Sequence, residues 1–439
     1  MTVSKENFTI YTDIVSSFCH LPAVLQSNAN IAKDFQTTGK TVSDVASSIQ
    51  KHTGIIQRRY ALPEQACSDL VIQAVLHSSI DLNNLASIVV ATTSGDCPSP
   101  ATAHFIHSGL NLHPYVHCFD VASSCSSYLS ALRSSLGITQ TTSQAVLLAA
   151  SEVKNKGLLQ NDLRTRSLFG DGAAGIVLRQ NLPKKNKDFF CFAYQESNSK
   201  IINNITIPVG GSRQPTTLEN INNNKLFLNQ PKETFSIIVK SLIKAIESCW
   251  EQRTKMLLEM NNKYDETVPC TIFIHQANKN ILKDVKQKIN PQLSDKITIL
   301  MADIGNTVCA SLPILRCRVL FLKNILSYEK NYICKKELVN YFSKICQKSN
   351  IFSYKIKENG IIFQTIYANE LIEIFDSGSS SLSNSWLEQI SEEEYLDLVN
   401  LTKKETETCN KDSARIKYLD IWIAAGGGFQ TVGVLHGKL

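Results

Sequence analysis

Residues 119–137 read FDVASSCSSYLSALRSSLG, and how this stretch folds decides the class of the protein. Phe119, Val121 and Ala122 lead in as an extended apolar run. Leu129, Leu132 and Leu136 follow at helical spacing, so the stretch reads as a strand giving way to an amphipathic helix. Cys125 falls near the helix start, among small hydroxyl residues. A thiol there feels the positive end of the helix dipole and lies beside free backbone N–H groups, which lowers its pKa and suits a nucleophile. Free cysteines are also ordinary core residues, so Cys125 alone does not establish chemistry.

The same alternation continues outward. Runs beginning at Leu85 (LASIVVATTS), Gln144 (QAVLLAASE), Ala173 (AAGIVLRQ), Cys270 (CTIFIHQA), Tyr418 (YLDIWIAAGGG) and Thr431 (TVGVLHG) read as buried strands. CSDLVIQAVLHSSI from Cys67 and ETFSIIVKSLIKAIESCWEQ from Glu233 read as helices. Strands alternating with helices predict an α/β protein whose sheets are covered on both faces. Residues 181–230, rich in Asn, Lys and Gln, read as loops and turns. Residues 328–415, with a Lys-rich start, the serine-rich DSGSSSLSNS and the acidic SEEEYLDLV, read as an insertion, because core-like strands resume at Tyr418. No sequence repeat of fixed period is present.

Bulk properties narrow the classes. The chain has 439 residues, 43% hydrophobic and 19% charged, as in a globular protein of two or three domain-sized units. A net charge of +6 does not favour nucleic acid. No run approaches the ~18 apolar residues of a membrane span, and the N-terminus lacks a basic region followed by an apolar one, so the expectation is a cytoplasmic protein. Thirteen cysteines without any C-x-x-C predict reduced thiols, with neither a disulfide framework nor a metal site. After His275, Lys279, Lys283 and Lys286 fall on one face of a predicted helix, either a solvated stripe or a docking surface for an acidic protein or a phosphate.

Four further motifs fall at strand ends, where α/β proteins assemble sites. LFGDGAAG (168–175) contains a Gly-Asp-Gly that reads as a tight turn entering a strand, and HQAN (275–278) comes directly off TIFI. GNT (305–307) follows ITILMADI, and GGGF (426–429) ends LDIWIAA.

Taken in order, Cys125, Gly-Asp-Gly, His-Gln-Ala-Asn, Gly-Asn-Thr and Gly-Gly-Gly-Phe resemble the ketoacyl-ACP synthase III family, whose members have the thiolase fold. IQKHTGIIQRRY near residue 50, IVVATTS and RTRSLFGDGAAGIVL extend the resemblance to nearly the whole chain outside 328–415. It implies an α/β thiolase fold, two similar α/β halves forming a five-layer αβαβα sandwich. Residues 1–182 would be the half carrying the nucleophile. Residues 183–327 plus 416–439 would be the half carrying His and Asn, with 328–415 inserted.

The same resemblance implies a β-ketoacyl synthase. The Cys125 thiolate would take up an acyl group, with the backbone N–H groups of Cys125 and Gly427 as oxyanion hole. His275 and Asn306 would donate to the thioester carbonyl of a malonyl group as carbon dioxide leaves. Substrates would be acyl-CoA or acyl-ACP and malonyl-ACP, with no bound cofactor, an acyl carrier protein (ACP) as partner, and a homodimer as the assembly. Relatives that only transfer acyl groups can carry Asp in place of Asn306, so Asn306 favours carbon–carbon bond formation.

Departures from the family are specific. The Trp and Arg that grip the CoA nucleotide align with Ser48 and His52, which cannot stack and pair equivalently, so an acyl donor other than acetyl-CoA is expected. An arginine expected two residues after His-Gln-Ala-Asn is Asn280. Lys279, Asn280 and Lys283 are therefore the candidate carrier or phosphopantetheine contacts. The loop after ATTS carries Cys97 and prolines where the family often has a phenylalanine.

Three other readings compete. An acyltransferase of the same family would move the acyl group without decarboxylation, and an inactive relative would serve only as a partner subunit. Papain-like proteases share the Cys, His, Asn order and spacing, but Cys125 is followed by Ser126 rather than Trp or Tyr.

Overall fold

The computed structural model describes residues 9–35, 40–76, 78, 80–180, 187–261, 268–328, 416–427 and 429–439. The segment 329–415, nearly all of the expected insertion, lies outside the described residues. The first half contains strands β1 (Thr9–His20), β2 (Leu85–Ala91), β3 (His117–Val121), β4 (Ala145–Glu152) and β5 (Gly172–Gln180), with helices α1 (Val42–Thr53), α2 (Cys67–Leu76), α3 (Thr102–Gly109) and α4 (Ser127–Thr139). The second contains β6 (Asp188–Ser197), β7 (Ile272–Ile274), β8 (Tyr418–Gly426) and β9 (Gln430–Lys438), with α5 (Pro231–Asn261), α6 (Lys279–Lys288) and α7 (Ser311–Tyr328).

The strands order as β7-β8-β9-β6-β1-β5-β4-β2-β3. β2 runs parallel to β3 and β4, whereas β4–β5 and β5–β1 are antiparallel. The second half repeats this: β7 is parallel to β8, and β8–β9 and β9–β6 are antiparallel. The place of β3 is taken there by the run from Ile297, which makes a single bridge to Ile272. Each half thus follows one order: strand, helix, strand, helix, extended run, helix, strand, strand. β1 joins them, pairing with β5 through Thr12–His20 and with β6 through Thr9–Tyr11.

Layering follows from side-chain alternation. In β2, Val89 and Ala91 face the central core while Ile88 and Val90 face an outer one; in β8, Trp422 and Ala424 face the centre while Ile421 and Ile423 face out. Strands buried on both faces read as continuous apolar runs, which is why they were legible. α4 and α7 pack between the two sheets and touch strands of both halves, α2 and α3 cover the first sheet from outside, and α5 covers the second. This is the five-layer αβαβα arrangement of the thiolase fold.

Two regions depart from the sequence reading: Thr9–His20, not read as a strand, forms β1, and a second strand lies where loops were expected. Residues 188–197, DFFCFAYQES, were expected among loops and turns but form β6, with Phe189 and Phe190 fully buried. The polar Asn- and Lys-rich flanks hid a strand that pairs with β1 and β9.

Candidate active site

Cys125 lies on the loop between β3 and α4, two residues before the helix begins. The surrounding hydroxyls tie this loop together. Ser127 Oγ accepts the Ser123 N–H at 2.7 Å and donates to the Ser124 carbonyl at 2.6 Å. Ser124 is held at φ +51°, an uncommon conformation for a residue with a side chain. The glycine run seals the other side, since a Cβ on Gly426 would stand 3.0 Å from both the Ser123 carbonyl and Ser126 Oγ. Gly427, at φ +60°, brings its backbone N–H to the Cys125 sulfur.

The thiol does not have the low pKa expected from the helix start. Burial pushes it up to about 11; the Ser124 hydroxyl, the Gly427 N–H and Lys154 pull the other way, and the Glu152 carboxylate adds to the rise. Desolvation of a thiolate outweighs hydrogen bonds to it.

His275 follows β7 and is fixed by its own backbone, whose N–H donates to the Ile423 carbonyl in β8 at 2.9 Å. One strand, β8, therefore positions both His275 and, at its end, Gly427. The ring is buried, with Nδ1 2.5 Å from Ser311 Oγ and Nε2 without a partner among the described residues. Burial lowers its pKa to about 4, so it is neutral at pH 7.

Asn306 sits on the turn leading into α7, where its Oδ1 accepts the Val308 N–H at 2.9 Å, which leaves Nδ2 as the donor free to serve a ligand. Val308 adopts φ +48° to make this bond, a strained value for a β-branched residue. Backbone exchange with the Gly-Asp-Gly segment holds the turn: Asn306 N–H donates to the Leu168 carbonyl at 2.9 Å, and Gly170 N–H donates to the Asn306 carbonyl at 3.1 Å.

Gly-Asp-Gly itself is extended, not the tight turn expected. Gly170 is required by close approach, because a Cβ there would lie 2.2 Å from the Ile304 carbonyl. Asp171 is a buried clasp, accepting backbone N–H groups of Ala61, Lys154 and Asn155 and the Asn155 side-chain amide.

Sequence reading missed three residues: Asp171 as a clasp, Ser311 and Glu152. The fully buried Glu152 carboxylate accepts from Thr93 N–H (3.1 Å), Ser94 Oγ (2.5 Å) and Cys309 Sγ (3.0 Å), and pairs with Lys154 at 3.4 Å. It acts electrostatically on both Cys125 and Cys309, so the cysteine loop and the Asn306 turn are gathered around one buried charge. Nothing in the local sequence around Glu152 or Ser311 distinguishes them from ordinary strand-end and helix-start residues.

The family model for 3-oxoacyl-[acyl-carrier-protein] synthase III matches residues 119–197, the segment holding Cys125 and Gly-Asp-Gly. The β-ketoacyl-[acyl-carrier-protein] synthase III of Aliarcobacter butzleri is 30% identical over 313 residues, covering 69% of this chain and 87% of that protein. The chain belongs to the synthase III family. The 3-oxoacyl-(acyl carrier protein) synthase of Burkholderia xenovorans has the same fold, with a TM-score of 0.63 at 16% identity over 98% of this chain and 95% of that one. So does the priming β-ketosynthase of the R1128 polyketide pathway, at TM-score 0.54 and 17% identity over 71% of this chain and 88% of that one.

In this synthase III member, α6 docks on the end of α1. Asn280 Nδ2 donates to the His52 carbonyl at 2.8 Å, and Asn278 Nδ2 to the same carbonyl at 3.2 Å. The Asn280 amide is thus committed to capping α1. The Lys279 stem lies over Gly54, where a Cβ would meet Lys279 Cβ at 2.3 Å, and Lys283 is exposed on the same helix. Ser48 and His52 are exposed on α1, where His52 Nδ1 lies 2.8 Å from the Ser48 carbonyl. Among the described residues no cluster of His, Cys, Asp and Glu fits a metal, and no helix is long and apolar enough to cross a membrane.

Proposed function

We propose that the protein is a β-ketoacyl synthase that condenses a Cys125-bound acyl group with a malonyl thioester, with loss of carbon dioxide. The observation that carries this reading is the orientation of Asn306: with Oδ1 occupied by Val308, its amide is left to offer N–H, as a donor of the kind an enolate oxygen needs. Cys125 Sγ attacks the acyl thioester, its proton leaving with the departing thiol. Negative charge on the tetrahedral oxygen is met by the N–H groups of Cys125 and Gly427. The malonyl thioester then binds with its carbonyl oxygen at His275 and Asn306. Breaking its carboxylate C–C bond releases carbon dioxide and leaves an enolate, which attacks the acyl-cysteine carbon and returns the thiolate. An acyltransferase would need a base to take a proton from its acceptor, and the Asn306 amide, an N–H donor in the place where an acyltransferase relative can carry Asp, supports enolate stabilisation instead.

The malonyl donor is proposed to arrive on an acyl carrier protein, guided by Lys279 and Lys283. The acyl donor is proposed to be carrier-borne or a CoA ester other than acetyl-CoA, since exposed Ser48 and His52 offer neither a stacking surface nor a fixed cation. A homodimer is proposed through β3, an edge strand with Phe105 and exposed Tyr115 nearby; a monomer in sedimentation at micromolar concentration would exclude it.

The test is intact-mass analysis after incubation with a panel of acyl-CoA and acyl-ACP thioesters, with Cys125→Ala as control, followed by malonyl-ACP. Acylation of Cys125 and its discharge as a β-ketoacyl product is the expected result. Loading without condensation would favour the acyltransferase, and efficient loading from acetyl-CoA would overturn the donor assignment.

A further inference from the structure

Ser311, the first residue of α7, is fully buried, and its hydroxyl is shared by two groups. The backbone N–H of Gln276 donates to Ser311 Oγ at 3.2 Å, and Oγ lies 2.5 Å from His275 Nδ1. We propose that Ser311 is a positioning residue that locks His275 in the tautomer carrying its proton on Nε2, which makes the imidazole a hydrogen-bond donor to the reacting thioester. This rests on the condensing reading above and adds to it the group that sets the histidine's role.

With Gln276 N–H already aimed at its oxygen, the Ser311 hydroxyl has one proton to place, and among the described residues the acceptor within hydrogen-bond distance is the Nδ1 lone pair. If Nδ1 carried the ring proton instead, the Ser311 hydroxyl proton would be buried without that acceptor, which is costly. Nδ1 therefore accepts, and the single proton of the neutral ring resides on Nε2, the nitrogen that has no partner among the described residues.

Gln276 makes the Ser311 position rigid. Its side chain is buried, Nε2 donating to the Ile274 carbonyl at 2.7 Å and Oε1 accepting the Leu300 N–H at 2.9 Å. This amide laces β7 to the extended run beside it, so the peptide N–H that orients Ser311 cannot turn away. The Gln of His-Gln-Ala-Asn thus acts on the histidine through the serine. The start of α7 supplies Ser311 five residues after Asn306, so one turn carries both the second donor and the group that orients the first.

The experiment uses the full-length protein, wild type and with Ser311→Ala and Ser311→Thr. Three quantities are measured: the single-turnover rate of Cys125 acylation by the best donor of the panel, the rate of discharge by malonyl-ACP, and the ring-nitrogen NMR signals of His275, assigned by their loss in His275→Asn. In the resting wild type at pH 7, Nδ1 is expected unprotonated and Nε2 protonated. Ser311→Ala is expected to acylate within about twofold of wild type but to condense about tenfold more slowly, with KM for malonyl-ACP little changed. Ser311→Thr, which keeps the hydroxyl, should recover most of the loss.

A wild-type protein with its ring proton on Nδ1 would overturn the inference. So would Ser311→Ala condensing at the wild-type rate, or losing acylation and condensation equally, the mark of a purely structural role. A wild type that loads and never condenses defeats the condensing reading. The tautomer signals of the resting protein still decide the role of Ser311 in that case.

Discussion

Cys125, His275 and Asn306 stand on three separate loops, and their chemistry is set by what each side chain loses on burial. For Cys125 the loss is solvation of the thiolate, which holds the pKa at about 11. Alkylation by iodoacetamide should therefore accelerate about tenfold per pH unit between pH 7 and 9, without a plateau. A plateau below pH 8 would show that the helix start dominates after all. For His275 the unfolded ring titrates near 6.5 and the folded one near 4. The unfolded state binds the extra proton between these values, so the contribution of His275 is complete above about pH 6.5 and is lost as pH falls toward 4. At pH 5 this amounts to about 2 kcal/mol. Urea unfolding at pH 7 and pH 5 should show His275→Asn losing less stability on acidification than wild type by that order, and equal losses would refute the assignment. The three side chains were legible because they lie in strand-end motifs whose order resembles the synthase III family. Ser311 and Glu152 were not, because a hydroxyl or carboxylate acquires its role from partners that the chain brings together from distant segments.

Among the elements, the glycines of 168–175 show where sequence reading goes astray. Gly-Asp-Gly has the composition of a turn, yet Gly170 is needed because two backbones come together, the Leu168–Gly170 segment and the Ile304–Asn306 turn. Gly170→Ala should cost about 1–3 kcal/mol through overpacking. It should also lower condensation more than acylation, since the displaced backbone is the one that holds Asn306; thermal unfolding with single-turnover kinetics reads both, and an unchanged Tm would exclude the contact. β6 went unread for the opposite reason. Its apolar run, Phe189–Tyr194, sits between polar flanks that mask it, and pairing with β1 and β9 completes the strand. The strands buried on both faces, such as Leu85–Ala91 and Ala145–Glu152, announced themselves, whereas β1, with its partly exposed Thr9–Ser16, did not.

Over the whole molecule, the two halves repeat one order of elements without a sequence repeat, and this equivalence locates the insertion. In the first half α4 is joined to β4 by residues 140–144; in the second, the corresponding connection from α7 to β8 contains 329–415. α7 begins at Ser311 beside His275 and runs about 26 Å away from it, and β8 returns over a similar length to Gly426 beside Cys125. The described chain on either side of 329–415 therefore lies remote from the loops of the candidate site. Replacing 329–415 by a short linker with the sequence of 140–144 should leave Cys125 acylation within about threefold of the intact protein, measured by intact mass. Loss of acylation in a folded variant would show that the segment reaches the site. The sequence by itself determined the α/β class and most of the order of strands and helices, because periodic burial is a local property, and its resemblance to the synthase III family singled out Cys125, His275 and Asn306 as the candidate nucleophile and donors. Only the tertiary structure decided that the thiol is held protonated, that Asn306 presents its N–H and that Ser311 and Glu152 belong to the site, because desolvation and hydrogen-bond partnership depend on which distant residues the fold brings together.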